Sequence, residues 1–390
     1  MTIKASGSLS FTQITAEFPS NLSIGATPDA LGEFRRMVLF KPSTNRQFII
    51  PNSPNDPSFS DFYGVSWGFN IDVLIVGGGG GGGGAMTSRS AGGGGGGGYA
   101  RLISNLFVIP GQNYSLTAGR GGAGGAFNAG QGNGSNGTNS SFTHNGTAYV
   151  SNGGGGGGGG TTSGNGRVGG NGGGGGAVNS AGGGAAGNQG FGGGTAARTA
   201  SAEGGGGGGS TQAGLSAVIV GQNGDGGSGF NLSSWMGTAN YRTTVTKTDA
   251  LLGSLTLYNT LGVGGGGGGG RDNTSSNRAY VTGKDGGGYG CFESDNRRNQ
   301  GDQFRDGLNR TGGGGGGGAT GNGAGPGGSG VVIVRYQGSY RRDISSGTGV
   351  EYRTGTVAGI PYQFVVFGRS DVYDVTLNQI FTPNPNPVFA

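Results

Sequence analysis

This sequence predicts a mostly β and irregular fold: a bundle of polyglycine-II helices capped by short β-strands, a small α-containing domain before it and a small β-domain after it. Three observations carry that expectation. Seven uninterrupted runs of five to eight glycines, Gly77 to Gly84, Gly92 to Gly98, Gly153 to Gly160, Gly172 to Gly176, Gly204 to Gly209, Gly264 to Gly270 and Gly312 to Gly318, hold 48 of the 104 glycines. Of 390 residues only 31% are hydrophobic and 11% charged, which is poor material for an ordinary globular core of this size. The glycine-rich region opens on the apolar stretch Ile71 to Val76 and closes on Val331 to Tyr336, two strands placed to pair and so to bound a domain.

Collagen needs a strict Gly-X-Y period and abundant proline, but here glycine fills every position of the runs and the chain has 12 prolines. A flexible linker joins two compact parts and has no use for seven copies. A polyglycine-II helix has about three residues per turn and rises roughly 3.1 Å per residue, so an eight-glycine run spans about 25 Å and points its N–H and C=O groups outward in three directions. Ordering each residue costs about 1–2 kcal/mol and a net hydrogen bond returns about 0.5–1.5, so order requires many runs packing together with apolar ends clamping them.

From the N-terminus, Ser10 with Gln13 forms a capping-box pattern ahead of Phe11, Ile14 and Phe18, and Pro19 stops that helix. Pro28 after Thr27 starts a second, with Leu31, Phe34 and Val38 on one face. Beyond Phe40, prolines and aromatics predict an extended arm or loop. These features give a docking module over 1–70 and a glycine domain over 71–336. Within the latter, Ala100 to Val108, a turn at Pro110 and Gly111, and Tyr114 to Ala118 read as a hairpin whose Leu102, Val108 and Leu116 cap glycine helices. Leu215 to Val220 and Leu251 to Leu261 are further apolar clamps. Over 337–390, EYRTGTV, QFVVF and DVYDVTL alternate as strands of a small β-domain, ending in the proline-spaced TPNPNPVFA.

Several function classes drop out. Net charge is +5, but Lys and Arg never run longer than two, so the clustered basic stripe of a nucleic-acid binder is missing. One cysteine, Cys291, excludes an intramolecular disulfide framework, and one histidine, His144, excludes a conventional zinc site. No hydrophobic leader core and no 18-residue apolar stretch occurs, which predicts a chain neither classically secreted nor membrane-spanning. GxGxxG matches arise trivially from polyglycine, and Gly283-Lys284 fails as a phosphate loop because Asp285 stands where Ser or Thr is needed. Acidic residues are mostly isolated, and Asp295, Asp302 and Asp306 sit among arginines as a salt-bridged loop would place them. The expectation is a protein that is not an enzyme and carries no cofactor or metal.

Recognition has better material. The segment 271–311 packs 13 of the 43 charged residues into 41 positions and adds Tyr280, Tyr289, Phe292 and Phe304. Aromatics give rigid contact area and arginines forked donors, which singles out Tyr280, Tyr289, Phe292, Arg297, Arg298, Phe304 and Arg305. The plain alternative is a solvated loop anchored by its aromatics. A second stretch, 231–258, offers Trp235 and Tyr241.

The stretches IDVLIVGGGGGGGG, GGGGGGGYARLISNLFVIPGQNYSLTAGRGGAGG, NGTNSSF and GPGGSGVVIVRY together resemble the glycine-rich domain of bacteriophage tail-fibre and tail-tip proteins, over roughly 71–336. IKASGSLSFTQITAEF is similar to an N-terminal module of structural proteins of tailed phages of cyanobacteria and other marine bacteria. The resemblance implies a virion protein of the fibre-tip adhesin kind. Its polyglycine-II sandwich would carry loops that bind a host outer-membrane protein or surface glycan, residues 1–70 would dock to other tail or fibre proteins, and the assembly is a candidate homotrimer. The C-terminal strands and the N-terminal module depart from that pattern. The alternative is a purely structural minor tail, baseplate or capsid-decorating protein.

Overall fold

The computed structural model describes residues 38–41, 46–49, 66–85, 90–127, 132–160, 164–177, 182–198, 202–217, 224–239, 245–249, 253–258, 262–271, 281–291, 305–320, 322–337, 349–368, 377–381 and 383. The helices expected before residue 38 therefore lie outside the described residues. Val38, placed on a helix face by its spacing, instead opens strand β1 (Val38–Lys41), which pairs antiparallel with β2 (Arg46–Ile49) and β3 (Ser66–Trp67). The predicted arm thus contributes a strand, because Arg46–Ile49 fall between Pro42 and Pro51 and keep every N–H for pairing.

Two antiparallel sheets dominate the rest of the chain. The first has strand order β16-β17-β15-β4-β5, with β4 (Phe69–Val76), β5 (Ala100–Val108), β15 (Val331–Gln337), β16 (Val350–Val357) and β17 (Ile360–Phe367). The bracketing strands do pair, Val331 opposite Val76 through Arg335 opposite Asp72. The second has order β18-β6-β7-β8, with β6 (Tyr114–Ala118), β7 (Ser140–His144), β8 (Thr147–Ser151) and β18 (Leu377–Phe381). Strands β5 and β6 do not form the expected hairpin: β5 pairs with β4, and β6 with β7 and β18. The turn at Pro110 and Gly111 carries the chain from one sheet to the other. Nor do the C-terminal strands make a sheet of their own, since β16 and β17 extend the first sheet and β18 completes the second.

The two sheets pack face to face over Ile71, Val73, Ile75, Val108, Tyr114, Leu116, Phe142, Val334, Phe367 and Phe381. Alternate residues of β4 and β15, Leu74, Val76, Val331 and Ile333, face the other way, onto Leu232, Trp235, Met236 and Val263. A central sheet covered on both faces explains why these strands read as continuous apolar runs. Of the predicted capping residues, Val108 and Leu116 are core, whereas Leu102 is 40% and Leu215 48% exposed. Asn145 and Gly146, at φ 47° and 76°, make the tight turn between β7 and β8 that an Asn-Gly pair favours. His144, next to that turn, is spent in the core: its Nε2 lies 2.6 Å from the Phe107 carbonyl and its ring stacks on Tyr114.

Small pairs complete the strands: β9 (Ala197–Arg198) with β10 (Ala202–Glu203), β11 (Phe230–Asn231) with β14 (Gly262–Val263), and β12 (Val245–Asp249) with β13 (Gly253–Tyr258). Helix α1 (Ser233–Met236) and a 3-10 turn, Gly237–Ala239, pack on β16. Strands of both sheets continue directly into glycine runs: β4 into 77–84, β6 into 119–126 and β8 into 153–160, while 92–98, 132–139 and 322–330 lead into β5, β7 and β15.

Candidate functional site

Backbone bonding along a glycine run repeats every three residues. In 77–84 the N–H groups of Gly77, Gly80 and Gly83 donate to Tyr99, Gly96 and Gly93, those of Gly78, Gly81 and Gly84 to Thr138, Ser135 and Gly132, and those of Gly79 and Gly82 to Gly328 and Gly325, at 2.6–3.1 Å. Its carbonyls accept with the same step: Gly78, Gly81 and Gly84 from Gly154, Gly157 and Gly160, Gly79 and Gly82 from Gly122 and Gly125, Gly80 and Gly83 from Gly315 and Gly318. The run therefore has six neighbours, three antiparallel that it donates to and three parallel that donate to it. A Cβ on Gly80, Gly81 or Gly82 would stand 2.2, 2.0 or 2.2 Å from a carbonyl oxygen of a different neighbour, so backbones approach closer than any side chain permits.

The run 92–98 is bonded in the same way to 77–84, 153–160, 172–176, 204–209, 264–270 and 312–318. These seven are the seven long glycine runs of the sequence, one at the centre and six around it. Outside them lie eleven interrupted runs: 119–126, 132–139, 164–168, 182–187, 191–196, 211–217, 224–229, 281–284, 287–291, 305–308 and 322–330. An outer run has solvent on one side, and there Arg167, Ala186, Phe191 and Leu215 are exposed.

The two ends of the bundle differ. At one end the runs pass into the sheets. At the other they finish on small residues: Ala85, Ala91, Ala177 and Ala319 are fully buried, Ala91 bridges both Ala177 and Ala319, and Ala196 and Ala202 pack beside them. A buried ion pair sits in this layer, Arg271 Nε to Glu203 Oε1 at 3.0 Å.

The segment 271–311 begins at this alanine end, at Arg271, passes through the bundle as the outer runs 281–284, 287–291 and 305–308, and finishes at the sheet end, where the Thr311 carbonyl accepts from Gly264 N–H. Arg271 N–H donates to the Cys291 carbonyl, Gly290 N–H to Val281 and Gly316 N–H to Arg305, which sets the starts and ends of the connections 272–280 and 292–304 side by side. Tyr280, Phe292, Arg297, Arg298 and Phe304 belong to those connections and lie outside the described residues. Tyr289 and Arg305 flank the run 312–318: the Tyr289 carbonyl is 1.9 Å from where a Gly316 Cβ would stand, and the Arg305 carbonyl accepts from Gly316 N–H at 2.7 Å. Both are half-buried. Burial pushes the Tyr289 phenol up, and the nearby Asp225 carboxylate adds to the shift. Arg305 donates to the Gly323 carbonyl.

Trp235 lies instead at the sheet end, 5% exposed, edge-on to Phe364 with centroids 5.9 Å apart. The Arg335 guanidinium is held between the Trp235 and Tyr362 rings, 4.8 Å from each centroid, and is bonded to Asp72 and to the Trp235 carbonyl. Trp235 is thus part of the core, and Tyr241 lies outside the described residues. Trp235 and the flanks of the connections 272–280 and 292–304 lie at opposite ends of the bundle. The pair Glu203 and Arg271 has no signal in the sequence, where 68 residues separate two unremarkable charges.

A glycine-rich domain model matches residues 60–337, more than half of the chain. The chain belongs to the glycine-rich domain family. The domain takes in every long glycine run and ends on the last residue of β15, short of the strands β16, β17 and β18 that finish its two sheets. No curated protein and no solved structure matches the chain. Among the described residues, no group of three or more His, Cys, Asp or Glu is placed to hold a metal ion, and no helix is long and apolar enough to cross a membrane.

Proposed function

We propose that this chain is a bacteriophage tail-fibre or tail-tip protein that recognises the host surface through loops carried on a rigid polyglycine-II scaffold. The three-residue bonding period and the six neighbours of runs such as 77–84 and 92–98 support the polyglycine-II reading. One observation supports the functional reading: the connections 272–280 and 292–304, which hold Tyr280, Phe292, Arg297, Arg298 and Phe304, start and finish at the end of the bundle remote from the sheets. A stiff base lowers the ordering cost of binding. In this layout residues 1–70 dock to other tail or fibre proteins, 71–336 form the pedestal, 337–390 finish its sheets, and the partner is a host outer-membrane protein or surface glycan. Replacing Arg297, Arg298 and Tyr289 together by alanine is expected to lower adsorption of particles to host cells about tenfold or more, with particle assembly intact. Unchanged adsorption sinks the assignment.

A second reading, a structural tail, baseplate or decorating component of the virion, is favoured by one feature. Val168, Phe191 and Leu215, 49%, 45% and 48% exposed, lie on the side runs 164–168, 191–196 and 211–217 of one flank, with 182–187 between the first two. In that case the loop substitutions leave adsorption unchanged, and polar replacements at these three positions block incorporation into particles.

A further inference from the structure

Hexagonal packing around the central run 92–98 provides six inner and twelve outer positions, and the described residues fill eleven of the outer ones. The twelfth lies against the run 153–160, between 132–139 and 164–168. In the pattern of the other inner runs, Gly153, Gly156 and Gly159 would donate to a strand there. They donate instead to the side-chain Oδ1 atoms of Asn139, Asn136 and Asn133, at 3.0, 2.9 and 2.6 Å. Asn136 Nδ2 continues across the position to the Val168 carbonyl at 2.8 Å.

A side-chain amide is a peptide group in miniature, with an acceptor and a donor in one plane. Three of them at three-residue spacing match three donors at the same spacing on an antiparallel neighbour. The run that carries them is itself fixed, since Gly134 and Gly137 N–H donate to Gly157 and Gly154. The position opens to solvent, because Asn136 and Asn139 are exposed and Val168 is 49% exposed. Its width and period suit one more extended backbone, and the outer runs of a second molecule offer such backbones with half-exposed glycines, Gly183, Gly184, Gly192 and Gly193.

We propose that Asn133, Asn136 and Asn139 stand in for a nineteenth strand and close the bundle against strand addition by a second copy of this chain. An unpaired edge of backbone donors is a template for association, and side chains that occupy it are how such an edge is blunted. The proposal rests on the bonding pattern and not on the phage reading.

The test is the full chain with Asn133→Gly, Asn136→Gly and Asn139→Gly, compared with its parent by light scattering over a hundredfold concentration range and by amide exchange. Exchange at Gly153, Gly156 and Gly159 is expected to rise at least about tenfold, the equivalent of one lost net hydrogen bond, and the mass to grow with concentration. Parent-like masses at every concentration, or unchanged exchange at the three amides, overturn the proposal. The Asn→Asp triple variant keeps the acceptors and is expected to exchange those three amides at the parent rate; a rise as large as in the glycine variant overturns it. Should the glycine variant fail to fold, Asn139→Gly alone is expected to speed Gly153 while leaving Gly156 and Gly159 unchanged; equal rates at all three positions overturn it.

Discussion

The β-sandwich and the glycine bundle are halves of one continuous backbone held by opposite means. In the sandwich, strands stand apart and Tyr114, Phe142, Phe367 and Phe381 fill the space between sheets. In the bundle the space between chains is removed, and each inner run bonds backbone to backbone on six sides, except 153–160, whose sixth side is met by the three asparagine side chains. Burial of apolar area is non-directional and tolerates a change of shape. Directional bonding at contact distance tolerates no added atom. The difference teaches that the bundle is ordered by registration, so its weak points are the smallest substitutions and not the largest.

The strongest way to break that comparison is Gly95→Ala at the centre. The added methyl carbon would lie 2.1 Å from the Gly80 carbonyl oxygen, inside a lattice with no room to yield. We expect loss of the cooperative fold, more than about 4 kcal/mol, seen as an unfolded chain by circular dichroism. In the sandwich, Phe142→Ala removes a fully buried ring and should cost about 3–5 kcal/mol in urea unfolding, leaving a folded protein. A Gly95→Ala variant more stable than Phe142→Ala would refute the contrast.

The alanine end gives an intermediate case. Arg271→Leu strands the Glu203 carboxylate, 6% exposed, and should cost about 3 kcal/mol, whereas the double change with Glu203→Leu should recover most of that in the same unfolding assay. A smaller effect is expected from pH. Burial raises the Tyr336 phenol well above its usual value of 10.0, so the folded state disfavours its ionised form. Stability from this group is therefore complete below the unfolded pKa of about 10 and declines as pH rises past it, and absorbance titration should show one tyrosine that ionises only on unfolding. The smallest effect belongs to Gly183→Ala on an outer run, where a Cβ meets nothing nearer than Asn165 Oδ1 at 3.5 Å; a change in Tm within about 2 °C is expected.

Much of this is legible in the residues alone. Two apolar stretches bracketing a glycine region predict the pairing of Ile71–Val76 with Val331–Tyr336, and Val76 and Val331 meet as that bracket requires. The hairpin expected over 100–118 does not form, because a short turn between two apolar strands fits a hairpin and a sheet-to-sheet crossing equally well. Composition points Trp235 towards recognition, yet a tryptophan in a polar stretch has the same composition whether it faces solvent or, as here, Arg335 and Phe364. The asparagine ladder has a signal, Asn at every third residue in GNGSNGTN, but its meaning depends on an antiparallel partner whose donors share that step.

By itself, the sequence determined which runs lie inside. A Cβ has no room where backbones meet on all sides, so uninterrupted glycine marks the seven inner runs, and runs interrupted by side chains are the outer ones. Tertiary structure alone decided which run neighbours which, that 92–98 is central, and that the flanks of 272–280 and 292–304 lie at the end opposite Trp235. Identical glycine runs carry no side-chain label to choose a partner, so order among them is imposed by the sheets that launch them and the connections that return them.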